Sequence, residues 1–251
     1  MQTIKTNIDW FDKIIPDGLP IKSTTVITGP GGSGKPLIGE CFLSSWLKNG
    51  GSAVVISLQY PSPEFVVESV KNITGTDINN YNDNLISIRL NTQMQDYKQI
   101  NKQLIDANLV KPEVWEQLTD FATKQLPSNG LGVMVFVSAL NLLLFSPTYG
   151  ELIFNKIKET INRNTYLTYI ISVSTSAKKE EIAQLEKMAD NLIVSRSEKE
   201  PFRLYMTIER LKAGRFNQNE IQIPVSAETL NHIKEMAYHS RAQVLPAILK
   251  T

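Results

Sequence analysis

The sequence predicts an α/β domain with a mostly parallel central sheet flanked by helices, closed by a β-hairpin and a helix toward residue 251. Three observations carry this. Short β-branched runs alternate with helix-patterned segments, most of those runs are apolar on both faces, and a glycine-rich turn joins the first of them to a helix.

In order, "TTVITG" from Thr24, "AVVISL" from Ala53, "LISIRL" from Leu85, "GVMVFVS" from Gly132 and "LTYIISVST" from Leu167 read as strands. Apolar residues on both faces of most runs fit strands covered on two sides, joined by right-handed crossovers. Helical patterns fall near 36–48, 63–73, 97–125, 150–162 and 179–189. Glu64, just after Ser62-Pro63, is first-turn charge on a capped helix. "RLYMTIERL" from Arg203 and "EIQIPV" from Glu220 form the late hairpin around "AGRFNQN". A closing helix follows at about 226–249, with Ser226 as N-cap and Leu230, Ile233, Met236 and Ala237 as its apolar face. Pro246 is expected to end or kink it. The long polar stretch 91–129 reads as a helical insertion, and a single domain over 1–251 is the simplest partition.

Composition narrows the classes. With 42% hydrophobic and 20% charged residues, the chain has the make-up of a globular domain. A formal net charge of +1 gives no reason to expect nucleic acid or an anionic membrane as partner. The lone Cys41 sits among Ile38, Phe42 and Leu43, as a buried apolar thiol would, and it excludes an internal disulfide. No apolar run is long enough for a bilayer and the opening residues lack a signal-peptide pattern, so the expectation is a cytoplasmic protein. Trp10 and Phe11 read as core, "SAKKEEIAQ" as a solvated helix start, and His232 and His239 as ordinary surface histidines, since no further ligand completes a metal site.

The stretch Gly29-Pro30-Gly31-Gly32-Ser33-Gly34-Lys35 lies between a strand and a helix. In that setting successive backbone N–H groups cradle an anion, the helix N-terminus adds partial positive charge, and Lys35 reaches the terminal phosphates. Pro36 then stands where such loops carry the Ser or Thr that ligates Mg²⁺. It removes a hydroxyl and one N–H, although a first helical turn tolerates proline. Gly32, Ser33, Gly34, Lys35 and Leu37 keep their amides, so phosphate binding is weakened rather than lost.

Hydrolysis needs two carboxylates as well. The metal-holding acid is expected at the end of "GVMVFVSALN", where Val137 stands, and no Asp or Glu occurs between Asp120 and Glu151. The water-polarising acid is expected at the end of "VVISLQYPSPEF", where Gln59 stands. Gln59 can hold a water but cannot take its proton, and loss of a general base typically costs on the order of 10²–10⁴ in rate. Pro36, Val137 and Gln59 together argue against metal-dependent turnover.

These motifs resemble the KaiC-like branch of the RecA/RadA P-loop ATPases. "NIDWFDKIIPDGLPIKSTTVITGPGGSGK" is similar to that family's opening, "VVISLQYPSPEFV" to its strand ending in Ser-Leu-Glu-Glu, "MVFVSALNLLL" to its Ile-Asp-Ser-Leu strand, and "EIAQLEKMADNLIVSR" to the segment ending in Asp-Gly-Val-Ile. The resemblance covers most of 3–225 and leaves 91–129 and the closing helix as local elaborations. It implies a RecA-like core binding ATP or ADP, with copies of the chain assembled into an oligomer, as in hexameric rings. It also implies that Arg210 and Lys212 match a late-strand pair that reaches a neighbouring subunit's γ-phosphate, with the two residue types exchanged. A solvated strand end explains that pair equally well. Ser176 falls where the family often places a γ-phosphate sensor, though a strand end also favours serine.

The expectation is a nucleotide-binding regulatory or assembly subunit with little or no ATPase activity and no ordinary place for Mg²⁺. Two alternatives stay open: an ATPase that borrows residues from a neighbouring subunit, and a RadA-paralogue-type recombination or repair accessory. The near-neutral charge argues mildly against the second.

Overall fold

The computed structural model describes residues 2–60, 62–164 and 166–251; for 227, 233, 236, 237, 240 and 241 it describes only the backbone. The chain opens with β1 (Thr3–Ile4), α1 (Asp9–Asp12) and β2 (Leu19–Pro20), the two short strands pairing antiparallel. β3 (Thr24–Thr28) runs through the glycine loop into α2 (Lys35–Lys48). Next come β4 (Ser52–Ser57), α3 (Pro63–Thr74), a 3-10 turn at Ile78–Asn84, β5 (Leu85–Leu90), β6 (Tyr97–Gln99), β7 (Leu104–Ala107) and α4 (Pro112–Lys124). β8 (Val133–Ser138) leads through a 3-10 turn at Leu140–Phe145 to α5 (Gly150–Arg163), then β9 (Thr168–Ser172), α6 (Lys179–Met188) and β10 (Asn191–Lys199). β11 (Phe202–Arg210), β12 (Ile221–Ile223), α7 (Ala227–His239), a π turn at Ser240–Val244 and α8 (Leu245–Ile248) complete it.

The large sheet has the order β12-β11-β10-β3-β9-β8-β4-β5-β7-β6. From β10 to β7 every neighbouring pair is parallel, while β6, β11 and β12 run antiparallel at the two edges. Strand alternation sends successive residues to opposite faces, and both faces are core. Val26, Val54, Ile56, Val135 and Ile171 pack with α4, α5 and α6 on one side. Ile27, Ala53, Val55, Phe136 and Ile170 pack with α2 on the other. Phe11 and Cys41 are fully buried on that second side, and burial pushes the Cys41 thiol well above its ordinary pKa. Half-buried Trp10 packs on the Phe11 ring.

All five early strands, the hairpin β11–β12 and four of the five inner helices lie where the patterns predict them. The segment 97–125 is different. Residues 97–107 form the hairpin β6–β7 on the sheet edge, and helix begins only at Pro112. Pro112 explains the start, because proline is accommodated in a first helical turn but not deeper. β10 is expected only through the family resemblance, since its second half, "SRSEK", is polar and runs past the end of β3 to pair with β11 alone. The closing helix is not one helix. Ser226 caps α7 as expected, its Oγ accepting from Thr229 N–H at 3.1 Å and lying 3.0 Å from Thr229 Oγ1, but the helix breaks at the π turn and Pro246 sits in the first turn of α8. Leu230 packs on the core; the side chains of Ile233, Met236 and Ala237 lie outside the described residues.

Candidate functional site

β3 lies between β10 and β9, and the chain crosses over β9 and β8 to reach β4, so a crevice opens at the carboxyl ends of these strands. The glycine loop occupies it. Gly29 has φ 147°, and a Cβ there would lie 2.1 Å from the Ser195 carbonyl oxygen on β10, so the close approach demands glycine. Gly34 caps α2 in the left-handed region, φ 77°. Ser33 Oγ donates to the Pro30 carbonyl at 2.8 Å and lies 2.7 Å from Ser195 Oγ, which pins the loop to β10. Gly31 N–H donates to Ser176 Oγ at 2.9 Å. Pro36 takes a first-turn position of α2, where the fold tolerates it.

Lys35 is only 7% exposed. Its ammonium turns back into the loop, donating to the carbonyls of Gly29 (3.0 Å) and Pro30 and to Ser33 Oγ (3.2 Å). Burial pulls its pKa down to about 7, while three oxygen acceptors favour the charged form. Above the loop lies a cavity of about 210 Å³. Gln59, Asn141, Ser172, Ser174 and Ser176 give it a polar wall, and Ala139, Leu142, Phe145, Ala177 and Leu245 an apolar one. Among the described residues lining it, Lys35 is the ionisable group and no carboxylate is present.

A family model described as the KaiC ATPase matches residues 4–234. The chain belongs to the KaiC ATPase family. A KaiC-like protein from the hyperthermophilic archaeon Pyrococcus horikoshii has a similar fold, with a TM-score of 0.66 at 14% identity over 90% of this chain and 95% of that one. A comparison with curated proteins finds no match. Membership explains the loop and the strand order, and it carries nucleotide binding as the family's common property. No helix among the described residues is long and apolar enough to cross a membrane.

Gln59 lines the cavity at the end of β4, and its amide bonds the Tyr60 hydroxyl. Tyr60 in turn donates to Glu40 Oε1 at 2.6 Å, and Ser69 Oγ donates to Glu40 Oε2 at 2.6 Å. Glu40 is fully buried on α2, five residues beyond Lys35, and desolvation raises its pKa to about 7 despite both hydroxyl donors. Sequence reasoning missed this network. The available signal was a carboxylate on the apolar run "LIGECFLSSW", a position where an unpaired charge is costly.

Val137 is fully buried in the core on the α5 side of the sheet. On the α2 side the strand ends in Ser138, whose Oγ lies 3.0 Å from Ser57 Oγ, while Ser172 on β9 accepts from Ala139 N at 3.0 Å. The ends of β4, β8 and β9 on this side thus carry serines, and Ser172 lines the cavity with Pro36. Neutral hydroxyls and a proline ring are a poor donor set for Mg²⁺, which prefers carboxylate and phosphate oxygens. The residues lining the cavity offer an ammonium and backbone amides to a phosphate and no carboxylate to a metal. Among the described residues, no three His, Cys, Asp or Glu side chains are grouped to hold an ion.

Arg210 and Lys212 stand away from the cavity of their own chain. Arg210 Nη2 donates to the carbonyls of Glu186 and Ala189 (2.8 Å for the latter), closing the end of α6. Lys212 Nζ pairs with Asp190 at 2.9 Å across a half-exposed surface. Ser176 lies against the loop, its Oγ accepting from Gly31 N–H. His232 and His239 are partly buried rather than surface groups; each stacks on Phe65 of α3, with ring centroids 6.5 and 6.3 Å away.

Proposed function

We propose that this KaiC-family chain is a nucleotide-binding regulatory or assembly subunit that holds ATP or ADP phosphates without hydrolysing them at an appreciable rate. The observation that carries the reading is the cavity over the glycine loop, which offers Lys35 and backbone amides to an anion and no carboxylate to a metal or a water. Lys35 would trade its loop carbonyls for phosphate oxygens, gaining a charge-assisted bond where it now has neutral ones. Gly32, Ser33, Gly34 and Leu37 would present amides along the same phosphate chain. Gln59, fixed through Tyr60, would hold a water without deprotonating it.

The family resemblance supports assembly with further copies of the chain. There Lys212, held by one half-exposed ion pair, is freer to turn to a neighbour's phosphate than Arg210, which closes a helix end. The test is calorimetric titration with ADP and ATP, with and without Mg²⁺, beside a steady-state phosphate-release assay. The expected result is binding that does not depend on Mg²⁺, is lost in Lys35→Ala, and is accompanied by no turnover. Turnover abolished by Lys35→Ala would instead favour the ATPase that borrows acids from a neighbouring subunit.

A further inference from the structure

The cavity over the phosphate loop has a wall from outside the matched family region. Leu245, the first residue of α8, lines it together with the loop, whereas the family model ends at 234. Behind Leu245, Ile248 is fully buried in the core shared with β8 and α5. Thr251 Oγ1 lies 3.0 Å from Ser146 Oγ, at the end of the 3-10 turn that supplies Leu142 and Phe145 to the same wall. The segment is thus latched at Ile248 and Thr251. Its flanking structure is a π turn followed by a four-residue helix, with Leu249 and Lys250 turned to solvent. Short, lightly anchored segments of this kind open by local unfolding well below the global unfolding free energy.

We propose that Leu245–Thr251 is a strap that closes the phosphate-loop cavity and has to lift before a phosphate ligand enters or leaves. Leu245 contributes to the cavity's apolar wall, and the loop residues Gly31–Pro36 line the same cavity. Exchange of ligand is then limited by strap opening rather than by contacts to the loop, as lid motions limit exchange elsewhere. The strap rests on the nucleotide reading only for the identity of the ligand.

The test locks the latch. In Ser146→Cys/Thr251→Cys the two sulfurs would replace oxygens that lie 3.0 Å apart, and the fully buried Cys41 does not compete. The oxidised and reduced forms of one preparation are compared by stopped-flow binding of fluorescently labelled ADP and by amide hydrogen exchange over Gly31–Leu37. Oxidation should slow both, association by about tenfold or more, and reductant should restore them. A second variant, Ile248→Asp, should unlatch the strap and speed both, which decides the matter if the disulfide does not form. Equal rates in the closed, open and unlatched proteins would overturn the proposal. If labelled ADP binds to none of them, the nucleotide reading fails, and loop-amide exchange alone supports or overturns the strap.

Discussion

Replacing Glu40 by Gln should stabilise the protein at pH 8 and leave it nearly unchanged at pH 4.5. Glu40 is fully buried, and its carboxyl is raised from 4.5 to about 7 by desolvation, with Ser69 and Tyr60 pulling the other way. A carboxyl raised on folding contributes stability that is fully present below its unfolded pKa and is lost as pH rises through the folded one. The window is therefore pH 4.5 to about 7. At about 1.4 kcal/mol per pH unit, that gap corresponds to a penalty of about 3 kcal/mol above pH 7. Gln removes the charge but keeps the shape: its carbonyl can accept from Tyr60 and its amide can donate to Ser69. Urea unfolding of both proteins from pH 4.5 to 8.5 reads the difference directly, since other titrating groups cancel. The variant should gain roughly 2–3 kcal/mol at pH 8. A variant less stable than the parent at pH 8, or a difference flat with pH, would refute the reasoning and mean that the carboxylate is ionised in place. Glu40→Ala, by contrast, should destabilise by about 2–4 kcal/mol, because it strands two hydroxyls beside a cavity.

Other outcomes follow from the same geometry. Lys35 titrates near 7, and an incoming anion needs it charged, so ADP affinity should fall by about tenfold between pH 7 and 8.5 and stay flat in Lys35→Arg. Titration calorimetry across that range checks this. Pro36→Thr returns a hydroxyl and an N–H to the loop; nucleotide affinity should rise while phosphate release stays at background, because the variant still lacks both acids. Arg210→Ala strands the Glu186 and Ala189 carbonyls at the end of α6 and should cost about 1–2 kcal/mol in urea unfolding. If it also changes the oligomeric mass, the pair reaches a neighbour as well. Gly29→Ala should prevent a native fold under ordinary conditions, seen as loss of near-ultraviolet dichroism, since its Cβ would lie 2.1 Å from a backbone oxygen.

What could be read ahead depended on how local the cause was. β3 and α2 declare themselves because an unbroken β-branched run, a glycine loop and a helix are adjacent in sequence. The hairpin β6–β7 does not, because its strands are only three and four residues long and exist by pairing with β5 and each other at a sheet edge. α7 and α8 read as one helix because the apolar spacing runs on past the break, while the π turn and the start of α8 at Leu245 follow from where Val244 and Ile248 find cover.

The site divides along the same line. Sequence by itself determined the phosphate loop, Lys35, the proline in place of a hydroxyl and the scarcity of acids around the strand ends, because each is a matter of residue type at fixed spacing. Only the tertiary structure decided that Val137 faces away from α2 and that Ser138 meets Ser57 on the other side, since those depend on strand register. It alone joined Gln59 to Tyr60, Ser69 and the buried Glu40, and brought Leu245 over a loop more than two hundred residues earlier in the chain. Contacts of that kind are set by which surfaces must leave water together, and no local spacing records them.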